Sequence, residues 1–191
     1  MSDIIEVIKN RRSVREYKTE QIPDEEIGFL IDCAWYAPSG FNMQPWSFLV
    51  IKNKEVLKKI SESGKKSMIP MLEPMKNASQ KARDFLVFLK TKGTDMFYNA
   101  PVLVIILGNK NAPTVDFDCP MAAQNMMLAA HSRGIGSCWV GGVLPALMDE
   151  KLLKEIGAPE GYKAVAPLIF GYPKGKTPMP EKIKPEIIWS R

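Results

Sequence analysis

PVLVIILG, Pro101–Gly108, is the stretch on which the architecture turns. It is almost wholly apolar and mostly β-branched, which reads as a strand buried on both faces. Outward from it, Asp118–Arg133 reads as a buried helix of small and flexible residues, stopped by Gly134. SCWVGG follows as a short extended segment, Pro145–Ile156 as an amphipathic helix, and Val165–Tyr172 as another apolar strand. Upstream, Ile4, Ile5, Val7 and Ile8 fit one face of a short helix. Pro23 and three acids open a second, with Ile27, Leu30, Ile31 and Ala34 at helical spacing, stopped by Pro38-Ser39-Gly40. Trp46–Lys52 reads as a strand, Lys54–Ser63 as a helix, and Ala78–Thr91 as a helix again. Between them Gly64–Asn77, with Met68, Pro70, Met71, Pro74 and Met75, reads as a mobile loop or broken helix. Helices and strands mix without strict βαβ alternation, so a three-layer mixed-sheet domain fits better than a doubly wound one.

The chain has 191 residues, which suits one domain, and 46% hydrophobic with 25% charged residues is ordinary for a globular protein. No apolar run spans a bilayer and the N-terminus does not read as a signal peptide, so the expectation is a cytoplasmic protein without membrane attachment. Net charge is +5, from 26 Lys+Arg against 21 Asp+Glu, which favours anionic ligands without demanding nucleic acid. Cys33, Cys119 and Cys138 are widely spaced, and there is one histidine, His131; neither a disulfide framework nor a metal centre is expected. His131 reads as a helix-end residue favoured by the negative end of the helix dipole. No G-x-G-x-x-G follows a strand and no phosphate-loop motif occurs.

Three segments could carry chemistry. In RRSVR, Arg11–Arg15, an extended backbone puts Arg11, Ser13 and Arg15 on one side, and two guanidinium forks around a hydroxyl suit a phosphate. A solvated helix end is the plainer alternative. APSGFNMQPW, Ala37–Trp46, is a loop that carries Phe41, Met43 and Trp46 beside Ser39, Asn42 and Gln44. It either reads a polar ring edge or caps the core. GIGSCWVGG, Gly134–Gly142, either offers backbone N–H groups to a ligand or is a glycine-bounded edge strand.

Taken together and in order, RRSVR, APSGFNMQPW, YNAPVLVIILG (Tyr98–Gly108), DCPMAAQNMMLAAHSRGIGSCWVGG (Asp118–Gly142) and LIFGYPKGK (Leu168–Lys176) resemble the FMN-dependent nitroreductase family. The resemblance covers nearly the whole chain except about 64–91. It implies an α+β, three-layer α/β/α fold with a central mixed, largely antiparallel sheet. It also implies a single domain over 1–191, a variable lid at 64–91, and a tail, 174–191, wrapped on a partner subunit. It implies a homodimer that binds FMN and takes electrons from NADH or NADPH. These would pass to a nitroaromatic, a quinone or a similar small acceptor, without a protein nucleophile, a nucleic-acid partner or a metal. Carried over by position, Arg11, Ser13 and Arg15, with Arg12 close by, hold the phosphate and ribityl chain. Pro38, Ser39, Gly40, Asn42 and Gln44 reach the cofactor from the opposite subunit. Trp139, Val140, Gly141 and Gly142 run along the isoalloxazine edge, where a backbone N–H faces flavin N5. Lys182 and Lys184 form a second phosphate clamp, with Lys174 and Lys176 as alternatives, and Phe41 and Met71 wall the acceptor pocket.

Two positions depart from the pattern. GTDMFYNAP has no lysine where some members place one, and Gly141 stands where some carry glutamate. Two other readings remain: a relative with a different reductive flavin reaction, dehalogenation or flavin cleavage, and a basic polyanion-binding module without flavin.

Overall fold

The computed structural model describes residues 3–190. The predicted strand at 101–108 forms as β2, Val102–Asn109, and every residue from Val102 to Leu107 is fully buried. It lies inside a four-stranded sheet of order β1-β2-β4-β3, with β1 Trp46–Ile51, β3 Gly136–Trp139 and β4 Tyr162–Gly171. All three strand pairs are antiparallel. A β-bulge offsets β2 against β4 between Ile106 and Leu107, where Ile106 faces Ala166 and Leu107 faces Ala164.

Strand alternation divides the core into two halves. Val102, Val104 and Ile106 join β4 residues Ala166, Leu168 and Phe170 against α2, Asp24–Trp35, and α5, Val115–Ser132. Leu103, Ile105 and Leu107 face α3, Lys54–Leu72, and α4, Gln80–Lys90. Leu147, from α6 (Leu144–Leu147), and Leu152 and Leu153, from α7 (Glu150–Glu155), close that second half. The result is three layers, with α1, Ile4–Asn10, lying against α5 at one edge. No helix is long and apolar enough to cross a membrane.

The region expected to break does not. α3 runs on through Gly64 and Pro70 to Leu72, and a short 3-10 turn, Glu73–Met75, follows. Gly64 is a contact point, since a Cβ there would overlap Met96 Sδ and press on Val143. The amphipathic stretch after Gly142 divides at Met148, and Asp149 caps the second helix by accepting the Lys151 N–H. From Lys174 to Ser190 the tail has no regular secondary structure, and Ile183, Ile187, Ile188 and Trp189 are exposed.

Candidate cofactor site

Residues 11–18 leave α1 extended and lie along the sheet's open edge. Ser13 forms a parallel bridge with Ser137 of β3, and Val14 N–H donates to the Ser137 carbonyl at 3.0 Å. Tyr17 bridges Pro173, and Lys18 N–H donates to the Tyr172 carbonyl. This parallel bridge is what makes the sheet edge mixed. Gly136 allows the close approach, because a Cβ there would press on Val14.

Arg11 and Arg15 diverge at this edge. Arg11 lines a cavity of about 720 Å³ with Arg12, His131, Ser137 and Lys176. Arg15 lines a second one of about 360 Å³ with Tyr98, Asn99, Asp95 and Lys174, its guanidinium 5.9 Å from the Tyr98 ring centre. Arg12 is partly committed: its Nη1 donates to the Lys9 and Arg11 carbonyls, both at 2.7 Å, closing the end of α1.

Two residues that line the first cavity each bury a polar atom with no partner among the described residues, Arg11 Nη1 and Ser137 Oγ. Leaving such groups dry and unpaired is costly, so they mark where an acceptor belongs. Around the second, burial pushes the Tyr98 hydroxyl up, with the Arg15 charge pulling it down. Burial likewise raises the Cys138 thiol, against Arg15, Ser13 and Arg11.

Ala37–Gln44 forms an exposed, strained loop. Phe41, Asn42 and Gln44 all take left-handed backbone, at φ 53°, 54° and 46°. Ser39 Oγ accepts the Gln44 N–H and Asn42 Oδ1 accepts the Gln44 side-chain amide. The anchor is Asp118 of α5, 1% exposed, whose carboxylate accepts the Gly40 N–H at 3.0 Å and the Thr114 hydroxyl at 2.7 Å. A Cβ on Gly40 would collide with Thr114.

At the far end of β3, Val140 N–H is already bound to the Pro167 carbonyl, whereas those of Gly141 and Gly142 have no partner among the described residues. Trp139 is half-buried beside them. Gly142 is packed under Met96 and Phe85.

Of the sequence-predicted set, the structure brings Arg11, Arg12, Ser13, Arg15 and Trp139–Gly142 along one sheet edge. Pro38, Ser39, Gly40, Asn42 and Gln44 sit instead in the loop that leads into β1, the strand at the opposite edge of the sheet from β3, where Gly40 rests on the first turns of α5. Lys176 lines the Arg11 cavity and Lys174 the Arg15 cavity, while Lys182 and Lys184 are exposed on the tail and line neither. Phe41, 91% exposed, and Met71, 56% exposed, also line neither. Ser137, Tyr98 and Asp118 were not singled out from sequence, because each acts through contacts far away in the chain. Lys65, buried on α3, lines neither cavity: its ammonium donates to the Thr94 carbonyl and pairs with Glu62 at 3.1 Å.

Residues 8–172 match the model of the Nitroreductase family, and the chain belongs to that family. It is 32% identical to a protein of Archaeoglobus fulgidus named "Putative NADH dehydrogenase/NAD(P)H nitroreductase", covering 91% of this chain and 87% of that one. It is 27% identical to iodotyrosine deiodinase of Thermotoga neapolitana, covering 98% and 97%. The crystal structure of a nitroreductase with bound FMN from Desulfitobacterium hafniense superposes with a TM-score of 0.82 at 26% identity, covering 100% of each chain.

Proposed function

We propose that this chain is an FMN-dependent oxidoreductase, working as a homodimer, that carries electrons from NADH or NADPH to a small acceptor such as a nitroaromatic or a quinone. The observation that carries this reading is the pair of buried atoms without a partner among the described residues, Arg11 Nη1 and Ser137 Oγ, on two residues that line a cavity with Arg12, His131 and Lys176. A phosphate ester offers acceptors to both atoms and charge to the cations. The residues present fit FMN: cations at one end of β3, unpaired Gly141 and Gly142 N–H groups at the other, and Ser13 between them. When bound, FMN supplies the electron-transfer chemistry, and the chain supplies binding, orientation and electrostatics.

Arg11 and Lys176 hold the phosphate charge and Ser13 orients the linking chain. Arg15 is fixed near Tyr98 and supplies positive charge where GTDMFYNAP has no lysine. Charge of that sign stabilises an anionic reduced ring. Asp118 holds the Gly40 loop in shape, so that Ser39, Asn42 and Gln44 are presented outward to the partner's cofactor. Phe41 and Met71, exposed in one chain, are walls of an acceptor pocket completed by dimerisation.

The test is direct. Purified protein is yellow and releases FMN on heating, and NADH or NADPH bleaches it anaerobically. Protein that stays colourless after added FMN overturns the reading. Reductive dehalogenation is the second reading, favoured by the full-length likeness to iodotyrosine deiodinase; turnover of iodotyrosine but not of nitroaromatics selects it.

A further inference from the structure

His131 is the chain's single histidine, and it lies in the last turn of α5. It lines the same cavity as Arg11, Arg12, Ser137 and Lys176, and burial and the two arginine charges, with no hydrogen bond, act on its ring. Every charged group lining that cavity is a cation: Arg11 and Arg12 from the end of α1, and Lys176 from the tail. No carboxylate lines it, and Arg133, two residues further on, is turned away onto Glu26 of α2. The approach to β3, Gly134–Ser137, adds no charged group. The carbonyl end of α5 favours a charged imidazole at this position. Burial first, then the Arg11 and Arg12 charges, hold its pKa below the usual histidine value. Burial and these cations thus both oppose a charged ring at this position.

A dianion placed among these groups reverses the balance. It cancels the arginine repulsion and offers an acceptor to an imidazolium N–H. We propose that His131 is the proton-carrying member of the anion site, taking up a proton from solvent as a phosphate monoester dianion binds against Arg11 and Ser137. The site then matches two negative charges with a charge it acquires only on binding. This selects a terminal monoester, as in FMN, over a phosphodiester, which carries one charge fewer, and over a flavin lacking phosphate. For FMN the inference rests on the function proposed above; for inorganic phosphate it does not.

Because His131 is the sole histidine, its ring Cε1–Hε1 resonance gives an unambiguous NMR titration of the full-length chain. It is followed from pH 5.5 to 8.5 with inorganic phosphate, with FMN, with riboflavin, and with no addition. The expected result is a midpoint at least about one unit higher with phosphate and with FMN, and unmoved by riboflavin. One unit corresponds to about tenfold in affinity. His131→Gln should then bind FMN several-fold more weakly at pH 6.5, the two affinities converging toward pH 8.5, with riboflavin affinity unchanged. The FMN monoester, with a second pKa of about 6, is largely dianionic at pH 6.5 and above, and each ligand's own ionisation is titrated alongside. A midpoint unmoved by phosphate and by FMN, or raised equally by riboflavin, overturns the proposal. FMN binding without a shift leaves the flavin reading standing and removes His131 from it. A shift with phosphate but no binding of either flavin keeps the anion site and removes the flavin.

Discussion

At the scale of single residues, the site is defined by unpaired groups more than by charge. Arg11 and Arg12 are adjacent cations, but Arg12 spends its Nη1 on the carbonyls at the end of α1, while a buried Arg11 nitrogen has nothing to bind. A hydrogen bond to a charged group contributes about 1.5–3 kcal/mol, so Arg11→Ala should weaken FMN binding about 10- to 100-fold and leave riboflavin binding nearly unchanged. Fluorescence titration measures both, and equal losses for the two flavins would place Arg11 away from the phosphate. The cysteines give a second residue-scale expectation. Burial, with Asp118 and Asp116 nearby, pushes the Cys119 thiol up to about 12. Its reaction with a thiol reagent at pH 8 should wait for unfolding, while half-buried Cys33 reacts first. The unfolded chain ionises this thiol near its ordinary value and the native chain does not. Between about pH 9 and about 12 the unfolded state therefore binds fewer protons, and this group's contribution to stability falls as pH rises.

At the scale of elements, α5 does two jobs. One face packs Ala122, Ala123, Met126 and Ala130 under the sheet, and its first turns hold the Gly40 loop through Asp118. Removing the carboxylate leaves the Gly40 N–H and the Thr114 hydroxyl without their acceptor, which costs about 1–3 kcal/mol. Asp118→Ala should lower the thermal midpoint by several degrees and raise the KM for the acceptor, whereas Asp118→Asn, which keeps an acceptor oxygen, should recover most of both. Thermal denaturation and steady-state kinetics on the same preparations check this; if asparagine behaves as alanine does, the carboxylate has another role. Gly40→Ala has no room beside Thr114 and should act in the same direction as Asp118→Ala.

At the scale of the molecule, one chain leaves apolar surface unused. Ile4, Ile5 and Ile8 of α1, Trp35 and Tyr36 at the end of α2, Phe117 and Met121 of α5, and Ile187, Ile188 and Trp189 of the tail are all exposed. A surface of this kind is expected to be covered by a second copy. Analytical ultracentrifugation should report a dimer. Removing residues 183–191 should weaken both dimerisation and FMN affinity, since the tail that carries Lys174 and Lys176 would lose its anchor. A monomer that binds FMN as tightly as the full chain would separate the cofactor site from the partner.

How much of this was legible in the chain depends on how local the cause is. The strands at 102–109 and 162–171 and the helices α1, α2 and α5 follow from periodicity and punctuation, because each buries a face that its own residues spell out. α3 was cut short because Gly64 and Pro70 look like breakers; its length comes from packing against Met96 and Val143, which lie far along the chain. RRSVR announced a phosphate-sized charge cluster. Alternation along an extended backbone puts Arg11 and Arg15 on one side, yet the fold sends them into two separate cavities, Arg11 beside Gly134–Ser137 and Arg15 beside Tyr98 and Asn99. Ser137, Tyr98 and Asp118 carry no local signal, and His131 shows only its place at a helix end, since a polar side chain acquires its role from what the fold sets beside it. Composition and spacing thus settled the layers and the family pattern. The division of charge along the site was settled by tertiary contact, because electrostatics and hydrogen bonding act over a few ångströms of space and not along the chain.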